Sequence, residues 1–300
     1  MTTDCRERQN MVPQDPKDQP IPKNSVELGD VRVAYIDTGR GRPILLVHGI
    51  PTSGYLWRNV IRDLENEFRL IAPDLMGLGD TETPLDHRYD MEAQADKLLE
   101  LADHLELKTF TLVCHDQGGA AAQWLAVHNP DRIERFIMTN CVCYDNWPVP
   151  IVARFAKVFR LKPLATLMHR LRLTDIWGRS PVGIRRGVYD PGLLSDFALD
   201  EYTKINRMGP EKFEQFRLFT LAGDCRYTVE AAEKFGAFDT PTMIVWGGND
   251  RWLNVSWGRK LCDDIAGARR MEVVPFAGHF LQEERPELVA KYIREFMEEV

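Results

Sequence analysis

The chain has 300 residues, 44% of them hydrophobic and 28% charged, and a formal net charge of −7. This composition suits a globular protein with one large α/β domain or a core carrying an insertion. The negative charge argues against bulk nucleic-acid binding, and no apolar run reaches the roughly 18 residues of a membrane span, so no stable membrane insertion is expected.

Residues 1–24 hold Pro13, Pro16, Pro20 and Pro22 among polar residues and read as a disordered N-terminal tail with no apolar segment suited to secretion. The cysteines are Cys5, Cys114, Cys141, Cys143, Cys225 and Cys262, with no C-x-x-C pair and no metal-type spacing. Cys114, Cys141 and Cys143 lie in apolar runs, where cysteine behaves as a small hydrophobe. Without a secretion signal, the expected compartment is the reducing cytoplasm. No metal and no cofactor are expected.

Strands are predicted at Val31–Asp37 and Ile44–His48, parted by the turn Gly39-Arg40-Gly41, and a helix over Tyr55–Glu67. A short strand follows at Leu70–Pro73. Met91, Ala95, Leu98, Ala102 and Leu105 recur in steps of four, three, four and three, which gives one buried helical face. Phe110–Cys114 reads as a strand, Ala120–His128 as a helix and Arg135–Cys141 as a strand. Two later strands, Thr242–Trp246 and Arg270–Pro275, each precede a helix-like segment. Alternating strands and helices predict an α/β, mostly parallel, doubly wound sheet covered on both faces.

The alternation stops between Tyr144 and about Gly223. Helix-like pieces fill the gap at Ile151–Phe159, Leu164–Leu173, Leu193–Arg207 and Pro210–Leu221. The expected organisation is a core at 25–143 and 224–300, with an inserted helical cap at 144–223. From Ile151 to Arg186 the cap carries nine basic residues (Arg154, Lys157, Arg160, Lys162, Arg170, Arg172, Arg179, Arg185, Arg186) against one acid, Asp175. Such a run is either a solvated basic face or an attractor of anionic substrates or surfaces.

In a doubly wound sheet, ligands bind beyond the carboxyl ends of the strands. Asp116 sits at such an end, in "LVCHDQGGAAA". Gly118 and Gly119 follow it, so the chain turns tightly and the next helix packs closely. This is the pattern of a nucleophile elbow, with Asp in place of Ser. A helix-capping turn aspartate is the plainer reading. "IVWGGNDRW" places Asp250 beyond a later strand, and "VVPFAGHFLQEERP" places His279 beyond the last. The order Asp116, Asp250, His279 is the nucleophile–acid–histidine order of α/β-hydrolases.

The sequence resembles the α/β-hydrolase superfamily from about Val31 to the C-terminus, in particular haloalkane dehalogenases and their epoxide hydrolase relatives. "LLVHGIPTSGYLWRNVI" (Leu45–Ile61) is similar to the dehalogenase segment H-G-N-P-T-S-x-Y-L-W, and "LIAPDLMGLGDTETP" (Leu70–Pro84) to its P-D-L-x-G-x-G-x-S segment. "HDQGG" resembles the H-D-W-G-G elbow of both groups. The resemblance implies the α/β-hydrolase fold with a helical cap.

A carboxylate with an ordinary pKa of about 3.9 is ionised at neutral pH and attacks an sp3 carbon without help from a base. Attack on an alkyl halide or an epoxide gives an ester on the enzyme. His279 then activates water to hydrolyse the ester, oriented by Asp250. The backbone N–H groups of Ile50 and Gln117 are the expected oxyanion hole. His48 and Gly49 shape that loop.

The dehalogenases that the chain resembles hold the leaving halide with a Trp after the nucleophile and often an Asn in H-G-N. Here Gln117 and Ile50 stand at those positions. The Gln117 amide, or a cap tryptophan such as Trp177 or Trp147, is the candidate donor. Epoxide hydrolases instead use two cap tyrosines, and the region offers Tyr144, Tyr189, Tyr202 and Tyr227. The expected activity is haloalkane dehalogenase-like, with epoxide hydrolysis by the same residues as the alternative. A non-catalytic ligand-binding relative of the fold is the alternative of another class. The expected partners are a small-molecule substrate and water.

Overall fold

The computed structural model describes residues 15–299. Eight strands form one sheet: β1 Asn24–Leu28, β2 Val31–Gly39, β3 Pro43–Val47, β4 Arg69–Pro73, β5 Phe110–Asp116, β6 Ile133–Cys141, β7 Thr242–Gly247 and β8 Ala268–Val274. Their spatial order is β1-β2-β4-β3-β5-β6-β7-β8. β1 and β2 run antiparallel to their neighbours, and every other pairing is parallel.

The helices covering this sheet are α1 Arg58–Leu64, α2 Met91–His104 and α3 Gly118–His128, followed by α4 Pro150–Phe159, α5 Lys162–Arg170 and α6 Leu173–Arg179. The chain continues through α7 Asp196–Thr203, α8 Pro210–Ala222 and α9 Arg226–Glu233 to α10 Val255–Asp264, α11 Leu281–Glu284 and α12 Pro286–Glu298. The central strands read as nearly unbroken apolar runs because both faces are covered. One core packs Leu45, Leu112 and Ile244 against α2 and α3; the other packs Leu46, Val113 and Val245 against α1 and α12.

Residues 142–241 contain helices and turns but no strand, and the cap expected over 144–223 falls in this stretch. The predicted helix Leu164–Leu173 is two helices, α5 and α6. Arg172 between them takes a left-handed φ of 54° and breaks the run.

Of the tail expected over 1–24, residues 1–14 lie outside the described residues. The remainder is held by side chains of the core. Arg58 donates from Nε to the Lys17 carbonyl at 2.7 Å, and the Tyr55 hydroxyl donates to the Asp18 carbonyl at 2.9 Å. Arg58 is buried and also forms a two-pronged pair with Glu283 at 2.5 and 2.8 Å. Glu283 in turn accepts from Tyr202 of α7, so one buried cluster ties residues 17–18, α1, α11 and α7 together. β1 was not foreseen: its alternation of apolar and polar residues is only five residues long and half exposed.

Candidate active site

The strand order reverses between β3 and β5. That is where a doubly wound sheet opens a crevice at its carboxyl edge. Asp116 ends β5 there with a left-handed φ of 50°. A non-glycine residue in that conformation is held by its surroundings, which suits a side chain pushed out of a sharp elbow. The elbow needs glycine behind it. A Cβ on Gly118 would stand 2.0 Å from the His48 carbonyl oxygen, and one on Gly119 would stand 2.4 Å from the Cys141 Cβ.

Asp116 Oδ1 accepts the Ile50 backbone N–H at 2.8 Å. The Gln117 N–H acts on the same carboxylate. The two N–H groups expected to form an oxyanion hole therefore lie on the Asp116 carboxyl. Oδ2 faces His279, whose Nε2 is 3.3 Å away. The pair is close in charge but not aligned as a hydrogen bond, and Nε2 has no hydrogen-bond partner among the described residues.

The other ring nitrogen of His279 is fully committed. Nδ1 donates to Asp250 Oδ2 at 2.8 Å. Asp250 Oδ2 also accepts from Asn140 Nδ2 at 2.6 Å, and its Oδ1 accepts the N–H groups of Trp252 at 2.8 Å and Leu253 at 3.0 Å. Asn140 Oδ1 accepts the Gly247 N–H at 2.8 Å, which locks its amide between β6 and β7. Asn140 was missed by sequence reasoning. The available signal was a polar residue at the carboxyl end of an otherwise apolar strand, beside the strand that leads to Asp250.

Electrostatics follow from this geometry. Burial alone would lower the His279 pKa, but Asp250 and Asp116 outweigh it and push it up to about 10. Burial would raise the Asp116 pKa; His279 instead holds it below the ordinary carboxylate value. Asp116 and His279 thus rest as carboxylate and imidazolium. His48 is pushed down to about 4 and His115 to about 3, in both cases chiefly by burial. His48 stays neutral with Nε2 accepting the Leu75 N–H at 3.0 Å, a structural role in the loop after β3.

A cavity of ≈ 100 Å³ opens over Asp116. Ile50 and Trp252 line it, and so do Val152, Phe155, Trp177 and Phe216 from the strandless stretch 142–241. Trp147 lines it too, with its indole N–H buried and unpartnered. Gln117 differs from expectation. Its side chain does not line the cavity but is buried against Gly223, where a Cβ would stand 2.3 Å from its Nε2 and 2.7 Å from Trp147 Nε1. The missing side chain of Gly223 makes the room that the amide fills, and both polar atoms of the amide lack a partner.

None of the four tyrosines lines the cavity. Tyr144 donates to Asp264 at 2.8 Å, Tyr202 donates to Glu283, Tyr227 accepts from Arg226 at 2.5 Å, and Tyr189 is exposed against Phe276. Among the described residues no group of three or more His, Cys, Asp or Glu is placed to hold a metal ion. No helix among them is long and apolar enough to cross a membrane.

A family model described as alpha/beta hydrolase fold matches residues 42–170. A soluble epoxide hydrolase of Corynebacterium sp. (strain C12) is 28% identical over 285 residues, covering 90% of this chain and 94% of its own. Haloalkane dehalogenase 2 of Mycobacterium tuberculosis (strain ATCC 25618 / H37Rv) is 28% identical over 287 residues, covering 94% and 96%. The crystal structure of an α/β hydrolase fold protein from Burkholderia ambifaria superposes with a TM-score of 0.80 at 27% identity, covering 91% of this chain and 97% of that one.

The chain has the α/β-hydrolase fold, and over most of its length it is similar to haloalkane dehalogenases and epoxide hydrolases. These relatives support a hydrolase of this superfamily.

Proposed function

We propose that the protein is a hydrolase that breaks a carbon–halogen bond of a small organic substrate through an ester on Asp116. The observation that carries this reading is the Asp116 carboxylate, with Oδ1 on the Ile50 N–H and Oδ2 beside the Asp250-supported His279. A carboxylate at the elbow suits attack on an sp3 carbon. Attack on a carboxylic ester would produce an anhydride instead.

Oδ2 attacks the carbon, and the halide leaves with the electron pair of the broken bond. The resulting ester carries no charge. One of the two carboxylates that hold the proton on His279 is then gone, so the imidazole pKa falls from about 10 and Nε2 gives up its proton to solvent, leaving the neutral base. Neutral His279 takes a proton from water at Nε2, and the new hydroxide attacks the Asp116 carbonyl carbon. The Ile50 and Gln117 N–H groups stabilise the tetrahedral oxyanion. Its collapse expels the alcohol, which takes the proton from His279, and Asp116 returns to the carboxylate with loss of its own proton.

Epoxide hydrolysis is the second reading, favoured by the similarity to the Corynebacterium epoxide hydrolase. An opening epoxide needs a proton donor for its oxygen. The cavity is lined by Trp147, Trp177 and Trp252 but by no tyrosine. A departing halide needs only N–H donors. Trp147, which lines the cavity, carries such a donor without a partner among the described residues, whereas the unpartnered Gln117 amide lies outside the cavity lining, against Gly223.

A mixed panel of haloalkanes and epoxides, read for halide and for diol, tests the choice. The expected result is halide release, and Trp147→Phe, which keeps the ring and removes the donor, lowers its kcat/KM by about a hundredfold. Diol without halide would select the epoxide reading. Binding without turnover of either class would leave a ligand-binding relative of the fold.

A further inference from the structure

The outer face of the cap is unlike the rest of the surface. Six of the thirteen exposed large apolar side chains among the described residues fall within 161–176: Leu161, Leu164, Leu167, Leu171, Leu173 and Ile176, each at least 40% exposed. Leu164, Leu167 and Leu171 are spaced i, i+3, i+7, so they form one stripe along α5 and its C-terminal cap residue. Ala165 of the same helix is buried, so the stripe is the side of α5 turned away from the protein. A soluble helix normally presents the opposite pattern. A contiguous apolar patch of this kind marks an interaction surface.

The exposed ionisable residues of 151–186 are all basic. Lys162 is paired with Glu214 at 2.9 Å and Arg185 with Asp196 at 2.6 Å, but Arg154, Lys157, Arg160, Arg170 and Arg186 make no ion pair among the described residues. Arg160 directly precedes Leu161, and Arg170 directly precedes Leu171. The single acid, Asp175, is buried and held by Arg179 at 2.9 Å and Arg207 at 2.8 Å, so it does not offset the patch. The chain as a whole carries −7, so the cap face opposes the sign of the molecule.

We infer that this face adsorbs to an anionic phospholipid surface, with the leucine stripe in the headgroup–acyl boundary and the cations on the lipid phosphates. Apolar residues in a helical stripe, flanked by Lys and Arg with no exposed acid, are what an interfacial helix requires. Lipid-facing cations near an anionic leaflet add attraction that salt screens. A second copy of the chain does not fit the face. Two such patches would bring like charges together, and the neighbouring acids Glu214 and Asp196 are already paired within the chain.

The placement links the surface to the cavity. α4 contributes Ile151, Val152 and Phe155 to the cavity wall and exposes Arg154 and Lys157 outward. α6 contributes Thr174 and Trp177 to the cavity and exposes Leu173 and Ile176. α4 and α6 therefore each line the cavity and also reach the exposed surface. Adsorption would set the cavity beside the bilayer, where an apolar substrate concentrates. The adsorption itself does not depend on which bond Asp116 attacks.

Flotation of the full chain with vesicles tests this. The expected result is co-flotation with phosphatidylcholine–phosphatidylglycerol vesicles at low salt, release at high salt, and no flotation with phosphatidylcholine alone. Lys157→Gln, Arg160→Gln and Arg170→Gln together should weaken partitioning about a hundredfold. Leu164→Ser, Leu167→Ser and Leu171→Ser together should also abolish flotation. All six positions are exposed, so both variants should keep the parent's circular dichroism and melting transition. Absence of flotation with the anionic vesicles would overturn the inference, as would equal flotation with neutral ones or triple variants that float like the parent. A dimer in solution that the leucine variant converts to monomer would assign the face to a second copy and also overturn it.

Discussion

His279→Gln is expected to stop turnover after one chemical step and leave the substrate carbon attached to Asp116. Glutamine keeps a side chain of similar reach but cannot take a proton from water. Attack by Asp116 does not need that proton, because the carboxylate is ionised and its Oδ1 is already held by the Ile50 N–H. Loss of the imidazolium removes the partner that keeps the Asp116 pKa low, and burial then raises it, so the first step slows at acid pH but persists near neutrality. Intact-protein mass spectrometry should show a stable adduct of substrate minus halide, and peptide mapping should place it on Asp116. Steady-state halide release should fall by about six orders of magnitude, as when a catalytic base that acts with its partners as a unit is lost. A substrate turned over by the parent that never labels the variant would show that the two steps do not both occur.

Asp250→Asn is expected to keep the fold and reduce hydrolysis of the ester by about three to four orders of magnitude. Asp250 holds the proton on His279 Nδ1, which leaves Nε2 to act on water. An amide there can present its N–H to Nδ1, which stabilises the wrong tautomer. The variant also removes a major charge that pushes the His279 pKa up to about 10, so that pKa should fall. The sign of the pH effect follows. The base form works, so ester hydrolysis in the parent should rise with pH and level off above a midpoint lower than about 10, because the ester no longer carries the Asp116 charge. In Asp250→Asn the midpoint should move to still lower pH while the plateau drops. Rapid-quench measurement of ester decay against pH reads both changes. A lower plateau with an unmoved midpoint would mean that Asp250 orients the ring without setting its charge.

Asp116, Asp250 and His279 could be picked out in the sequence because each lies at or just beyond the carboxyl end of a predicted strand, and a doubly wound sheet gathers those strand ends on one edge. The backbone donor at Ile50 was legible for the same reason, since it follows β3, the neighbour of β5. Asn140 was not, because its role comes from the pairing of β6 with β7 and not from its own neighbours. Side-chain direction was the harder quantity. Gln117 turns away from the cavity because Gly223, distant in sequence, leaves a space behind it. The four tyrosines could be named from sequence, but their hydroxyls are engaged or exposed elsewhere for reasons of tertiary packing alone. The cap helices were visible as segments, yet the break at Arg172 and the outward direction of the leucine stripe depend on how those helices pack.

The central claim is that Asp116 is a nucleophile and not a base. Both roles require Asp116 and His279, so variants that merely lose activity do not separate them. A single turnover in heavy-oxygen water does. In the ester route the oxygen of the first product comes from the Asp116 carboxylate, and water replaces that oxygen when it attacks the carboxyl carbon. The first-turnover alcohol should therefore carry ordinary oxygen, and the heavy label should appear in the peptide containing Asp116. Heavy oxygen in that first product, with an unlabelled Asp116 peptide, would mean that water attacks the substrate directly, and the ester mechanism would fall for halides and epoxides alike.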